Sequence, residues 1–158
     1  MSRRPAVALA LLTVAAVSVA PAHAAKPKPK PIKGSYTLTL LPDPSPNVTN
    51  EVGKPGCGVL PTGQDKHPFT VPAKGTLHVV LDSPDPTGTP SAGPAGAVGT
   101  DWDLYVLDSD DSVLDSSHGA TSHEETLDKF KKKDAVTFWV CNLAGEPNGT
   151  VTYTFTYA

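Results

Sequence analysis

The stretch Asp101-Trp102-Asp103-Leu104-Tyr105-Val106 sets two carboxylates into an otherwise apolar run. In an extended strand, residues i and i+2 share a face, so Asp101 and Asp103 stand about 7 Å apart at their Cα atoms on one side. Asp82 closes an earlier run, Gly75 to Asp82, and only the Pro/Gly-rich segment 83–100 separates it from Asp101. If the two runs pair as neighbours, Asp82, Asp101 and Asp103 gather at one end of the fold. Three such charges repel unless a cation offsets them, and calcium suits an all-oxygen site. The competing role is structural: aspartates that accept hydrogen bonds from loop amides. The nearby Asp108-Ser109-Asp110-Asp111-Ser112 is not an EF-hand, because the glycine and the distant glutamate of that loop are missing.

Nucleophile chemistry is less well supplied. Asp115, Ser116, Ser117 and His118 are sequence neighbours, and so are Ser122, His123 and Glu124. Catalytic Ser-His-Asp groups are assembled from distant segments, and adjacent residues of a strand point to opposite faces. Neither a Gly-x-Ser-x-Gly elbow nor a His-Glu-x-x-His helix is present. His118, His123 and Glu124 are in principle a zinc set, but solvated turn residues are the plainer reading. The residues single out no catalytic group. A small secreted hydrolase remains the alternative class, to be recognised by a pocket holding titratable groups with displaced pKa values.

The elements that must position these side chains are strands. "SYTLTLL" (35–41), "HPFTV" (67–71), "GTLHVVLD" (75–82) and "GTVTYTFTY" (149–157) alternate apolar and polar residues. "DWDLYVLD", "SVLDSS", "HEETLD" and "AVTFWVCNL" follow one another at short intervals. A period of two means one buried face per strand. About eight short strands with Pro/Gly punctuation predict an all-β fold, an antiparallel β-sandwich of jelly-roll-like type. Trp102, Leu104 and Val106 belong to the core face, and Asp101, Asp103 and Tyr105 to the other. Leu127 and Phe130 allow one helical turn in 124–134, but "FKKKD" (130–134) reads better as a charged turn before the next strand. "GEPNGT" (145–150) reads as a hairpin turn, with Asn148-Gly149 supplying positive φ. The long segment 83–100 reads as a surface loop, or as the bait of a protease inhibitor.

Residues 1–24 have the form of a secretory signal: Arg3-Arg4, an apolar run from Ala6 to Ala20, and Ala22-His23-Ala24 at the cleavage point. Residues 25–34 alternate Lys and Pro and read as an extended spacer, with Lys26, Lys28, Lys30 and Lys33 available to anionic polymers. Residues 35–158 then form a single sandwich domain. Removing residues 1–24 from 158 leaves 134, with 11 lysines, no arginine and 16 acidic residues, a net charge of −5. That balance argues against nucleic-acid binding, and no membrane contact is expected after signal cleavage. An exported chain with two cysteines, Cys57 and Cys141, predicts a disulfide. A loop of about 85 residues closed in this way contributes ~4 kcal/mol on chain-entropy grounds.

Taken in order, "HPFTVPAKGTLHVVLD", "DWDLYVLDSDDSVLDSS", "SHEETL" and "DAVTFWVCNLAGEPNGTVTYTFTY" resemble the bacterial pre-peptidase C-terminal domain. The resemblance covers roughly residues 57–157. It departs from the family pattern in standing alone, in its "SDDS" turn and in the length of segment 83–100. It implies a secreted, non-catalytic binding or accessory module whose partners are extracellular proteins, peptides or polymers. Calcium is the one cofactor it suggests.

Overall fold

In the computed structural model, which describes residues 27–43, 56–84 and 99–158, the chain forms eight strands and one short 3₁₀ turn at Pro61–Gly63. The strands are β1 (Ile32–Thr39), β2 (Gln64–Val71), β3 (Gly75–Asp82), β4 (Asp101–Leu107), β5 (Val113–Ser117), β6 (His123–Phe130), β7 (Asp134–Ala144) and β8 (Asn148–Tyr157). They make two antiparallel four-stranded sheets, ordered β1-β8-β3-β6 and β2-β7-β4-β5. The all-β sandwich is therefore as the alternation predicts. The signal-like segment 1–24, Lys26 and most of 83–100 lie outside the described residues.

Only β4 and β5, among consecutive strands, pair with each other; every other connection crosses between the sheets. This overturns two expectations. β3 pairs with β8 and β6, whereas β4 pairs with β7 and β5, so the strands carrying Asp82 and Asp101 are not neighbours. The segment 145–150 is likewise no hairpin, because β7 and β8 belong to different sheets. Its positive φ is at Gly145 (φ 88°). Asn148-Gly149 already lies within β8, where Gly149 has another purpose. A Cβ there would meet the Trp102 ring at 2.9 Å.

The helical turn allowed in 124–134 is also absent. His123–Phe130 is a strand throughout, with Glu124, Thr126 and Phe130 buried on alternate positions. β1 begins at Ile32, so residues 32–34 of the expected spacer are part of the sheet.

The core is where alternation puts it. Trp102, Leu104 and Val106 of β4 are fully buried with Leu77, Val79 and Phe138 between the sheets. Phe69, Phe138 and Tyr153 interlock, with ring centroids 5.0–5.6 Å apart. Such aromatic contacts add about 0.5–1.5 kcal/mol per pair beyond the area they bury. The other face of β4 is buried too. Tyr105 and Leu107 pack with Trp139, Leu143 and the Cys57–Cys141 disulfide in a second, smaller cluster. The bridge thus pins the segment around Cys57 over the outer face of the sheet that holds β4.

Candidate functional site

All seven residues of β4 are buried, the two carboxylates included. Asp103 is beside Tyr105 on the outer face, and its Oδ2 accepts a hydrogen bond of 2.9 Å from the Tyr105 hydroxyl. Burial raises the Asp103 carboxyl to about 6; the Tyr105 bond opposes that rise and the Asp101 charge adds to it. Asp101 is raised as well, first by burial and then by Glu124. The Tyr105 phenol moves upward for the same reasons, burial first and Asp103 second. Its ring lies 5.6 Å from Trp139 and 6.4 Å from His118.

Glu124 is the acidic residue that joins Asp101 and Asp103. It is buried on β6, in the opposite sheet. It holds the crossing from β5 to β6 together: Thr121 Oγ1 donates to Oε1 at 2.7 Å, and the Ser117 hydroxyl and the Gly119 amide donate to Oε2. The period of two in "HEETLDKF" already places Glu124, Thr126 and Asp128 on one face; what it does not show is that this face turns inward toward β4 and β5.

Asp82 is elsewhere. Its side chain is 60% exposed on the outer side of β3, 2.6 Å from His123 Nδ1. That hydrogen bond is the main reason the His123 imidazole is raised. The trio Asp82, Asp101 and Asp103 is therefore not assembled. Among the described residues, no three His, Cys, Asp or Glu side chains converge closely enough to hold a metal ion.

The serines and histidines also have separate partners. Asp115 accepts from the Ser116 and Leu127 amides, Ser117 donates to Glu124, and His118 stacks on Tyr105. His123 is held by Asp82, so His118, His123 and Glu124 do not face a common point. The Ser117–Glu124 and Leu127–Asp115 bonds are cross-ties between β5 and β6, and each hydrogen bond to a carboxylate contributes about 1.5–3 kcal/mol.

A further part of this seam is strained electrostatically. Asp128 is raised to about 6 by burial and by the Asp115 charge. Its Oδ2 and the Thr126 Oγ1 are buried without a hydrogen-bond partner.

One surface carries no sequence signal of its own. Leu41, Val59 and Leu60 are 58%, 59% and 48% exposed. They lie on two segments held side by side: the Leu41 amide donates to Thr62 O at 2.9 Å, and the Leu60 amide to Asp43 Oδ2 at 2.7 Å. Periodicity cannot reveal this rim, because neither segment is a strand.

No family model matches the chain, and no curated protein matches it. Among solved structures, it is similar to an antigen and type I fimbria protein of Burkholderia pseudomallei. The identity is 14%, over 81% of this chain and 100% of that one, with a TM-score of 0.28. At that score the likeness says nothing about function.

Proposed function

We propose that the protein is a secreted, non-catalytic binding or accessory module of the pre-peptidase C-terminal type, which holds an extracellular protein or peptide against the rim of Leu41, Val59 and Leu60. The observation that carries this reading is the rim itself: three large apolar side chains exposed next to a segment that a disulfide fixes. Contiguous exposed apolar surface marks interaction sites. Covering three half-exposed side chains of this size contributes about 3 kcal/mol at ~25 cal/mol per Å². The disulfide and the 3₁₀ turn hold the rim in place before binding, so little ordering cost opposes that gain. The formed disulfide suits an oxidising compartment, and the signal-like residues 1–24 suit export.

The test is capture from culture supernatant by the immobilised protein, with a Leu41→Asp/Leu60→Asp variant alongside. Wild type should retain a protein or peptide in high salt, and the variant should lose it. Equal retention by the two would overturn the reading.

A further inference from the structure

Lysines from three distant segments meet at one end of the sandwich. The connection from β2 to β3 ends in Lys74, and the connection from β6 to β7 is Lys131-Lys132-Lys133. Both cross from one sheet to the other. Their flanking residues are paired at each side, Gly75 with Phe130 and Val71 with Asp134. The two turns therefore run side by side. β8 ends at the same level, with Tyr157 opposite Gly75 and the Ala158 amide 3.2 Å from Lys74 O. β1 starts one strand further on, with Ile32 opposite Phe155, and residues 27–31 lead into it with Lys28 and Lys30. Two strand spacings, about 10 Å, separate β1 from β3.

These lysines are exposed. Among the described residues, Lys66 is the only lysine in an ion pair, 3.1 Å from Asp111. Carboxylates also lie at this end, fewer than the lysines. Asp134 Oδ1 accepts from the Ala135 amide, and Asp108 closes its own turn through the Asp110 and Ser112 amides. Asp108, Asp110 and Asp111 lie in the β4–β5 turn at the same end, on the side of β6 and remote from β1, so the positive charge is densest from the crossing turns toward the lead-in to β1. Asp82, Asp101, Glu124 and Glu146 are at the far end of the strands. A chain with net negative charge is thus polarised along its strands, with a cationic end.

We propose that this end binds a linear phosphate polymer outside the cell, laid across the two crossing turns and along the Lys/Pro lead-in. The two crossing turns are on directly paired strands, about 5 Å apart, so Lys74 and the Lys131–Lys133 run share one Debye length of about 8 Å and their potentials add. Lys28 and Lys30 in an extended polyproline conformation are spaced by about 6 Å along the chain, so each ammonium reaches a different phosphate. Lysine binds phosphate as a point charge, without the bidentate geometry of arginine. The polymer is therefore selected for its charge density rather than for a sequence. The path is a track rather than a plane, which fits a chain better than a bilayer surface. It lies at the opposite end from the apolar rim and does not depend on it.

Binding of the purified protein to long-chain inorganic polyphosphate is the test, measured across a salt series. Affinity should fall with salt, with a logarithmic slope of about −0.7 per phosphate neutralised. The Lys131→Gln/Lys132→Gln/Lys133→Gln variant should bind about tenfold more weakly or worse, and adding Lys28→Gln/Lys30→Gln should flatten the slope further. Lys66→Gln should bind as wild type. Salt-independent binding, or lysine variants that bind as wild type, would overturn the proposal. So would binding to phosphatidylglycerol vesicles without binding to polyphosphate. Loss of the apolar-rim partner with polyphosphate binding intact would leave this site standing.

Discussion

Asp103 shows what a carboxylate does when its strand is buried on both faces. Its proton is held more tightly in the folded state, with a pKa of about 6, than in an open chain. A raised folded pKa means that the native state binds more protons between about pH 4 and pH 6, so stability falls as pH rises through that window. Asp101 and Asp128 are shifted in the same direction. His123, raised by Asp82, adds stability at low pH that is lost as pH rises through its folded pKa. All four effects agree in sign. The protein should unfold at a higher temperature at about pH 5 than at about pH 8. Asp103→Asn keeps an acceptor for Tyr105 and removes the charge. It should raise stability at about pH 8 by up to ~3 kcal/mol and flatten the pH profile. An unchanged profile in thermal melts would show that Asp103 is not the source. Midpoints should be equal in EDTA and in millimolar calcium, because Asp82 is on another sheet and Asp103 is bonded to Tyr105. A rise of several degrees in calcium, abolished in Asp103→Asn, would restore the cation reading.

At the scale of the element, β8 illustrates how a glycine is dictated by its neighbour across the core. Gly149 leaves room for the ring of Trp102, whose indole N–H donates to Glu146 O at 3.2 Å. Gly149→Ala would bring a methyl to 2.9 Å from that ring. Overpacking of this kind costs about 1–3 kcal/mol. The variant should melt several degrees lower, whereas Gly119→Ala, with its nearest atom at 3.5 Å, should melt close to wild type. Equal melting of the two would refute the packing role. The strands themselves were legible because alternation is local: Val151 and Phe155 face inward, as a period of two requires. The order of strands was not, because pairing joins residues far apart in sequence. Sequence order alone sets Asp82 beside Asp101, whereas the pairing brings Glu124 to Asp101 and Asp103. Asn148-Gly149 lies in a strand rather than a turn for a related reason. Its local turn preference was overridden by the contact with Trp102.

For the whole molecule, the position of β1 and β8 has a mechanical consequence. They are adjacent and antiparallel, and the start of β1 and the end of β8 lie at the same end of the sheet. A pull applied to those two ends loads the ladder one rung at a time, as a zipper opens, rather than shearing all rungs together. The sandwich should therefore yield at low force. Extension must then stop at Cys57 and Cys141, whose covalent link shields the 84-residue separation between them from tension. Single-molecule stretching should show a short lengthening under oxidising conditions. In reductant, an additional release of about 300 Å should follow, at ~3.6 Å per residue. The same added length with and without reductant would mean that the link does not carry the load. A chain tethered at both ends would thus give way early yet keep β2 through most of β7 inside its covalent loop, a tether that slackens without losing its central strands.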